Sequence, residues 1–309
     1  MLNRRILRTK AFKVIYSYAE NPGMTLKEAE AVLDISCEST RDLYLFLLSV
    51  VKPLTDEAKS RIEAARSKFN PTEEELNPNM KFVQNRLPSI LYEDPDFSKL
   101  VSRKKLSWEQ YDVLLRHLYE SIRERKYFKD YMASGQSSLM EDAQLWAKIF
   151  EREFEDNEEL IPILEELSIH WNDDLGFALS WCSRTMKSLG EGKVWNLLPL
   201  YQSELSGNES FESDKRFIFN LLRSAYSNFA AFTDRVAELT PKWNRDRICT
   251  TDLVLIVCGM AEAEANPLTP VRVIINEYVE LSKCYSTPES SGFVNGLLDK
   301  LINKKNDNA

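Results

Sequence analysis

Apolar residues return along this chain at steps of three and four, the period of helices buried on one face. The best-marked run is 243–302, where pattern, caps and joints agree on three short helices. Thr250, Thr251 and Asp252 offer N-caps to an apolar face of Leu253, Ile256, Val257 and Met260. Thr269 and Pro270 read as cap and first helical position, where proline has no N–H to leave unpaired. The second face is Val271, Ile274, Ile275, Tyr278, Leu281 and Ser282, with Glu277, Glu280 and Lys283 toward water. Ser286-Thr287-Pro288-Glu289 has capping-box spacing, and Phe293, Val294, Leu297, Leu298 and Leu301 form a third stripe. Gly296 is costly inside a helix and predicts the close approach of another helix.

Upstream, residues 1–20 predict one amphipathic helix with Leu7, Ala11, Val14, Ile15 and Tyr18 on its core face, ended by Asn21-Pro22-Gly23. A short helical turn is expected over 25–35, then a long helical pattern over 39–69. Asn70-Pro71, Asn77-Pro78 and Asp94-Pro95 punctuate the next stretch of chain. Ser107 is placed to cap one long helix to residue 131, residues 175–189 read as a buried helix, and 214–239 as another single helix. The polar run 206–210 is the best candidate boundary. The expected division is a basic N-terminal helix (1–24), a helical elaboration (25–210), a helical core (211–303) and a polar tail (304–309).

Only 9 glycines in 309 residues, with 43% apolar and 28% charged residues, fit a nearly all-helical globular chain. Five scattered cysteines without a CxxC predict reduced, packed thiols. No apolar run approaches the roughly 20 residues that span a bilayer. Lys13 interrupts the only stretch resembling a secretory core, so a cytoplasmic chain is expected. His117 and His170 have no partners at metal-ligand spacing, and no nucleophile elbow, dinucleotide fingerprint or P-loop occurs. No catalytic residue, metal or cofactor is therefore expected.

Charge is distributed unevenly. Net charge is −8, which argues against bulk wrapping of nucleic acid, yet Arg4, Arg5, Arg8, Lys10 and Lys13 face a single acid, Glu20, in the first helix. Positive charge opposes the macrodipole at a helix start and needs a reason. Phosphate binding is one; solubility or neutralisation by the chain's own acids is the other. Residues 141–174 carry twelve acids against Lys148 and Arg152, a face that could meet a basic partner, seal the basic helix, or simply be solvated.

The segment PVRVIINEYVELSKCYSTPESSGFVNGLLDKLI resembles the C-terminal signature of the NusB family of bacterial transcription antitermination factors. Its carriers are INEYVELSK (275–283) and FVNGLLDK (293–300), preceded by WNRDRICTTDLVLIVCGMAEAE; at the other end, NRRILRTKAFKVIYSY (3–18) resembles the family's arginine-rich first helix. The resemblance implies a compact all-α bundle that binds boxA RNA together with ribosomal protein S10 (NusE) and helps RNA polymerase pass terminators during ribosomal RNA synthesis. It implies RNA contacts from Arg4, Arg5 and Arg8, with Lys10 and Lys13 as helpers. Asn276 and Asn295 would read RNA or fix helix ends and joints, the second role being preferred. Glu289 and Ser290 would edge the S10 surface.

The chain is about twice the usual length for that family, and the surplus, roughly 25–210, has helical rather than linker patterning. Ile6 and Phe12 also replace smaller residues in the first helix. Two other readings stay open: a helical protein-interaction scaffold without specific RNA binding, and a non-catalytic relative of the helical domain of ribosomal RNA methyltransferases.

Overall fold

The structure is a computed structural model that describes residues 2–171, 173–201, 214–240 and 248–306. Trp243 and the arginines after it, Pro241, the 206–210 boundary and the last three residues of the tail lie outside the described residues. The chain forms two compact units, Met1–Glu38 with Pro199–Ala309, and Ser39–Leu198 between them in sequence. All regular structure among the described residues is helical, with one isolated bridge joining Leu2 to Tyr201. The all-α expectation holds.

In chain order, the first unit opens with α1 (Arg4–Glu20) and α2 (Leu26–Leu48), and the unit boundary falls within α2. The second unit continues with α3 (Val51–Arg66), α4 (Glu73–Leu76), α5 (Leu87–Glu93), α6 (Pro95–Arg103), α7 (Asp112–Glu124), α8 (Lys126–Ala133), α9 (Leu139–Arg152), α10 (Leu160–Leu167) and α11 (Leu175–Gly190). The first unit resumes with α12 (Asp214–Ser227), α13 (Phe229–Leu239), α14 (Thr250–Ala265), α15 (Val271–Tyr285) and α16 (Ser290–Asn306).

Helix α14 is the axis of the first unit. Every residue from Val254 to Glu262 is buried, and α1, α12, α13, α15 and α16 all pack on it. The one-sided stripe expected for it is therefore wrong: a helix enclosed by five others is apolar all round. Gly259 lets α16 come close, since a Cβ there would lie 2.7 Å from a Leu298 methyl. Gly296 does not have the close neighbour predicted for it; nothing stands within 4 Å of its missing Cβ.

Several joints differ from the sequence expectation. The 39–69 pattern breaks at Ser49–Val50, and its first part belongs to a helix that begins at Leu26. Pro53 lacks an N–H, and in a continuous helix its ring would strike the Ser49 carbonyl. The indole of Trp108 then donates to the Phe46 carbonyl (2.9 Å) and the Ser49 hydroxyl (3.1 Å). Trp108 is thus a loop residue stacked on Phe46 at 4.3 Å, not part of a helix from Ser107. The helix expected to reach 131 turns at Arg125, where Arg125 and Tyr127 both reach the buried carboxylate of Glu153. The 214–239 helix is likewise two, joined at Asn228. Thr250 is inside α14, after Cys249, and Pro270 rather than Thr269 occupies the cap of α15.

The two glycines separate two costs. Gly296→Ala fills open space on an exposed helical site and is expected to stabilise the first unit by about 0.5–1 kcal/mol. Gly259→Ala pushes on Leu298 and Tyr278 and should destabilise it by about 1–3 kcal/mol. Hydrogen exchange of α14 amides reads both.

Candidate nucleic-acid interface

Helix α1 begins at Asn3, whose side chain accepts from the Ile6 N–H at 3.0 Å. Its first turn contains no acid, so the three arginines stand at the positive end of the dipole. Carboxylates from three other helices of the same unit meet them. Arg4 Nε lies 3.5 Å from Asp214 of α12, Arg5 pairs with Glu277 of α15, and Arg8 pairs with Glu262 of α14.

The Arg8 pair is internal. Its side chain is 4% exposed and that of Glu262 0%. Arg8 Nε and Nη2 donate to the two Glu262 oxygens at 2.8 and 2.6 Å, and the Tyr278 hydroxyl donates to Glu262 at 3.0 Å. Arg8 Nη1 also lies 3.6 Å from Glu277. Burial disfavours the Arg8 charge, but the hydrogen bonds and charge of Glu262 outweigh it and raise its pKa above the ordinary value. Burial, and then the Glu262 charge, push the Tyr278 hydroxyl far up, so it stays a donor.

Glu277 links this buried pair to the surface. Arg5 donates to it through Nε (3.0 Å) and Nη2 (2.8 Å), and those hydrogen bonds hold the Glu277 carboxyl below its usual range. Arg5 is 59% exposed and uses only two of its five N–H donors on that carboxylate. Arg4 is 40% exposed, with its guanidinium 4.7 Å from the Phe217 ring centre. Lys13 is half-buried, 5.9 Å from the Tyr285 ring.

The row of cations expected on α1 is thus not a single outward face. Arg8 and Lys10 are turned inward: Lys10 is 3% exposed and its Nζ donates to the Ser36 carbonyl of α2 at 2.8 Å. Both sit among the buried positions Leu7, Ala11, Phe12 and Val14, so the helical period carries them into the core face. A role as direct phosphate contacts is replaced by one in fixing α1. Sequence reasoning missed Glu262, although an acid closing the apolar run Val254 to Ala261 demands a buried cation. Asp214 and Phe217 carried no comparable signal.

Asn276 and Asn295 are both exposed within α15 and α16, not at the joints they were expected to fix. Glu289 is exposed. Ser290 is not an outer edge: it is 4% exposed, donates to Asp252 at 2.8 Å, and has the hydroxyls of Ser286 and Thr287 at 2.9 and 3.0 Å. This hydroxyl cluster takes the place of the expected capping box. Among the described residues no group of His, Cys, Asp or Glu could hold a metal ion, and no helix is long and apolar enough to cross a membrane. His117 faces Glu159 at 2.9 Å, and none of the five cysteines forms a disulfide.

Arg8→Ala leaves Glu262 charged, buried and unpaired, and should cost the first unit about 3–5 kcal/mol. Replacing the pair together by Arg8→Met and Glu262→Leu should recover most of that loss, as measured by exchange of α1 amides. Glu277 gives a pH signature. A carboxyl lowered on folding contributes stability present above its unfolded value, about 4.3, and lost as pH falls through its lower folded value. Protection of α1 should therefore decline below roughly pH 4, and Glu277→Gln should flatten that decline.

Comparison with known proteins places the sequence in a family. The NusB family model matches residues 183–303. A transcription antitermination protein NusB from Alkaliphilus oremlandii is 32% identical over 123 residues, covering 39% of this chain and 89% of the relative. One from Natranaerobius thermophilus is 32% identical over 91 residues (29% of this chain, 66% of the relative), and one from Finegoldia magna 39% over 82 (25% and 60%). No solved structure matches the chain. With nearly the whole of the first relative covered, and the matched helices α12–α16 holding α1 through Glu262 and Glu277, the chain belongs to the NusB family.

Proposed function

We propose that this protein is a transcription antitermination factor that binds boxA-type single-stranded RNA together with ribosomal protein S10 (NusE), and so promotes ribosomal RNA transcription by RNA polymerase. The observation that carries this reading is the family match over the helices that hold the basic first helix in place. The role is recognition rather than catalysis.

In this reading the cations divide by exposure. Arg4 and Arg5 contact RNA, with Lys13 beside them, while Arg8 and Lys10 position the helix. The acids facing Arg4 and Arg5 do not forbid this. A partly exposed ion pair is worth about 0–1 kcal/mol, so an incoming phosphate exchanges for the carboxylate at little cost. Arg5 also keeps donors free while bound to Glu277, and a guanidinium can stack on an unpaired base. Asn276, next to Glu277 and exposed, is a base-edge contact; Asn295 is a second candidate, and Glu289 remains a candidate edge of the S10 surface.

The test is a titration of boxA-type RNA and a scrambled RNA, with and without S10, at two salt concentrations. The boxA RNA should bind more tightly, more so with S10, and weaken with salt by a log–log slope of about 0.7 per phosphate contacted. Arg5→Ala should weaken it about tenfold, the loss of one charge-assisted contact. Equal, weak binding of both RNAs in every condition would remove the proposal.

A further inference from the structure

A second basic surface of the first unit has no part in the α1 interface. Lys215, Phe219 and Arg223 succeed each other at intervals of four on α12, so they form one stripe about 12 Å long. The stripe lines a cleft of about 580 Å³ against α2, whose Lys27, Glu30 and Asp34 form the other wall. Phe219 is half-buried, and the Lys215 ammonium and Arg223 guanidinium lie 5.8 and 5.7 Å from its ring centre.

We propose that this stripe is an additional subsite for single-stranded RNA, in which an unpaired base stacks at Phe219 while Lys215, Arg223 and Lys27 hold the flanking phosphates. The inference rests on the proposed RNA-binding function. An aromatic side chain between two cations is suited to the two surfaces of a nucleotide, its flat base and its anionic backbone. The four cations lining the cleft (Lys27, Lys215, Arg216 and Arg223) exceed its two acids. Those acids are already engaged: Glu30 accepts from Arg223 at 2.5 Å, and Asp34 lies 3.9 Å from Lys215. Both cations are more than half exposed, so these pairs can exchange for phosphate. The freed carboxylates would then accept from the amino groups of a base.

Position adds a second argument. The stripe starts one residue after Asp214, the partner of Arg4. RNA lying on Arg4 can therefore continue along α12 without leaving the first unit. The subsite extends the footprint instead of competing for it.

The experiment compares a short boxA-type oligonucleotide with the same RNA extended at either end by unpaired nucleotides, using the full chain at two salt concentrations. One extended RNA should bind about tenfold more tightly than the short one. Phe219→Leu, which keeps an apolar side chain but removes the ring, should abolish that gain and leave the short RNA unchanged. The double variant Lys215→Gln, Arg223→Gln should lower the salt slope for the extended RNA by about 1.4. It tests the same subsite by exposed substitutions should Phe219→Leu disturb packing. Photocrosslinking of thiouridine in the extension should label the peptide carrying 215–223. No gain from either extension, or a gain that survives both variants, overturns the subsite while the short RNA still binds. Tight binding of AMP or UMP alone, lost in Phe219→Leu, overturns it in favour of a free-nucleotide site. Absence of binding by every RNA, including boxA with S10, overturns the RNA-binding function itself.

Discussion

The first unit depends on one buried ion pair. Arg8 on the opening helix and Glu262 on the central one are both removed from water, and neither could be charged there alone. Their bidentate geometry, completed by the Tyr278 hydroxyl, makes the burial tolerable and fixes the relation of three helices at once. Two parallel hydrogen bonds between planar groups set the orientation of the pair. Lys10 on the Ser36 carbonyl adds a second fixed point, toward α2.

The same arrangement resolves the conflict between α1 and its own dipole. Cations crowd the end of the helix where they are least favoured, and each arginine is answered by a carboxylate from a different helix. Charge that looked like a free binding surface is in large part structural. What faces solvent is graded instead: Arg8 is enclosed, Arg4 is intermediate and Arg5 is most open. Glu277 joins the open end to the closed end, because its carboxylate touches both Arg5 and Arg8.

Much of this was legible in the sequence. The apolar faces of α1, α15 and α16 come directly from their periodicity, while the packing expected of the cysteines holds for Cys37, Cys182 and Cys258 and fails for the exposed Cys249 and Cys284. The INE and FVNG motifs carry the family resemblance whatever the exact helix boundaries. What periodicity could not show was where a long helical pattern breaks. The breaks fall at Ser49–Val50, just ahead of Pro53, at Arg125 and at Asn228, while the apolar spacing runs through them nearly undisturbed. Nor does spacing say which cations of an amphipathic helix are paired. Arg8 falls next to Leu7 on the buried face, but a partner 254 positions away decides that it stays charged there. Gly296 and Gly259 make the same point: both are mid-helix glycines, and only the neighbouring helix decides which one is needed.

By sequence the acids of 141–174 can meet a basic partner, seal the basic helix or, the commoner case, simply be solvated. In the structure the carboxylates that meet the arginines are Asp214, Glu262 and Glu277, all within the first unit. The buried acids of the second unit are satisfied inside that unit. Asp142 accepts from Tyr131 and the Arg86 backbone, Glu153 from Arg125, Tyr127 and Ser121, and Asp174 from Thr40. Residues 39–198 also enclose their own aromatic core around Trp146, Phe82 and Phe150. In the first unit the returning chain meets its own beginning: the Leu2 N–H donates to the Leu200 carbonyl at 2.7 Å.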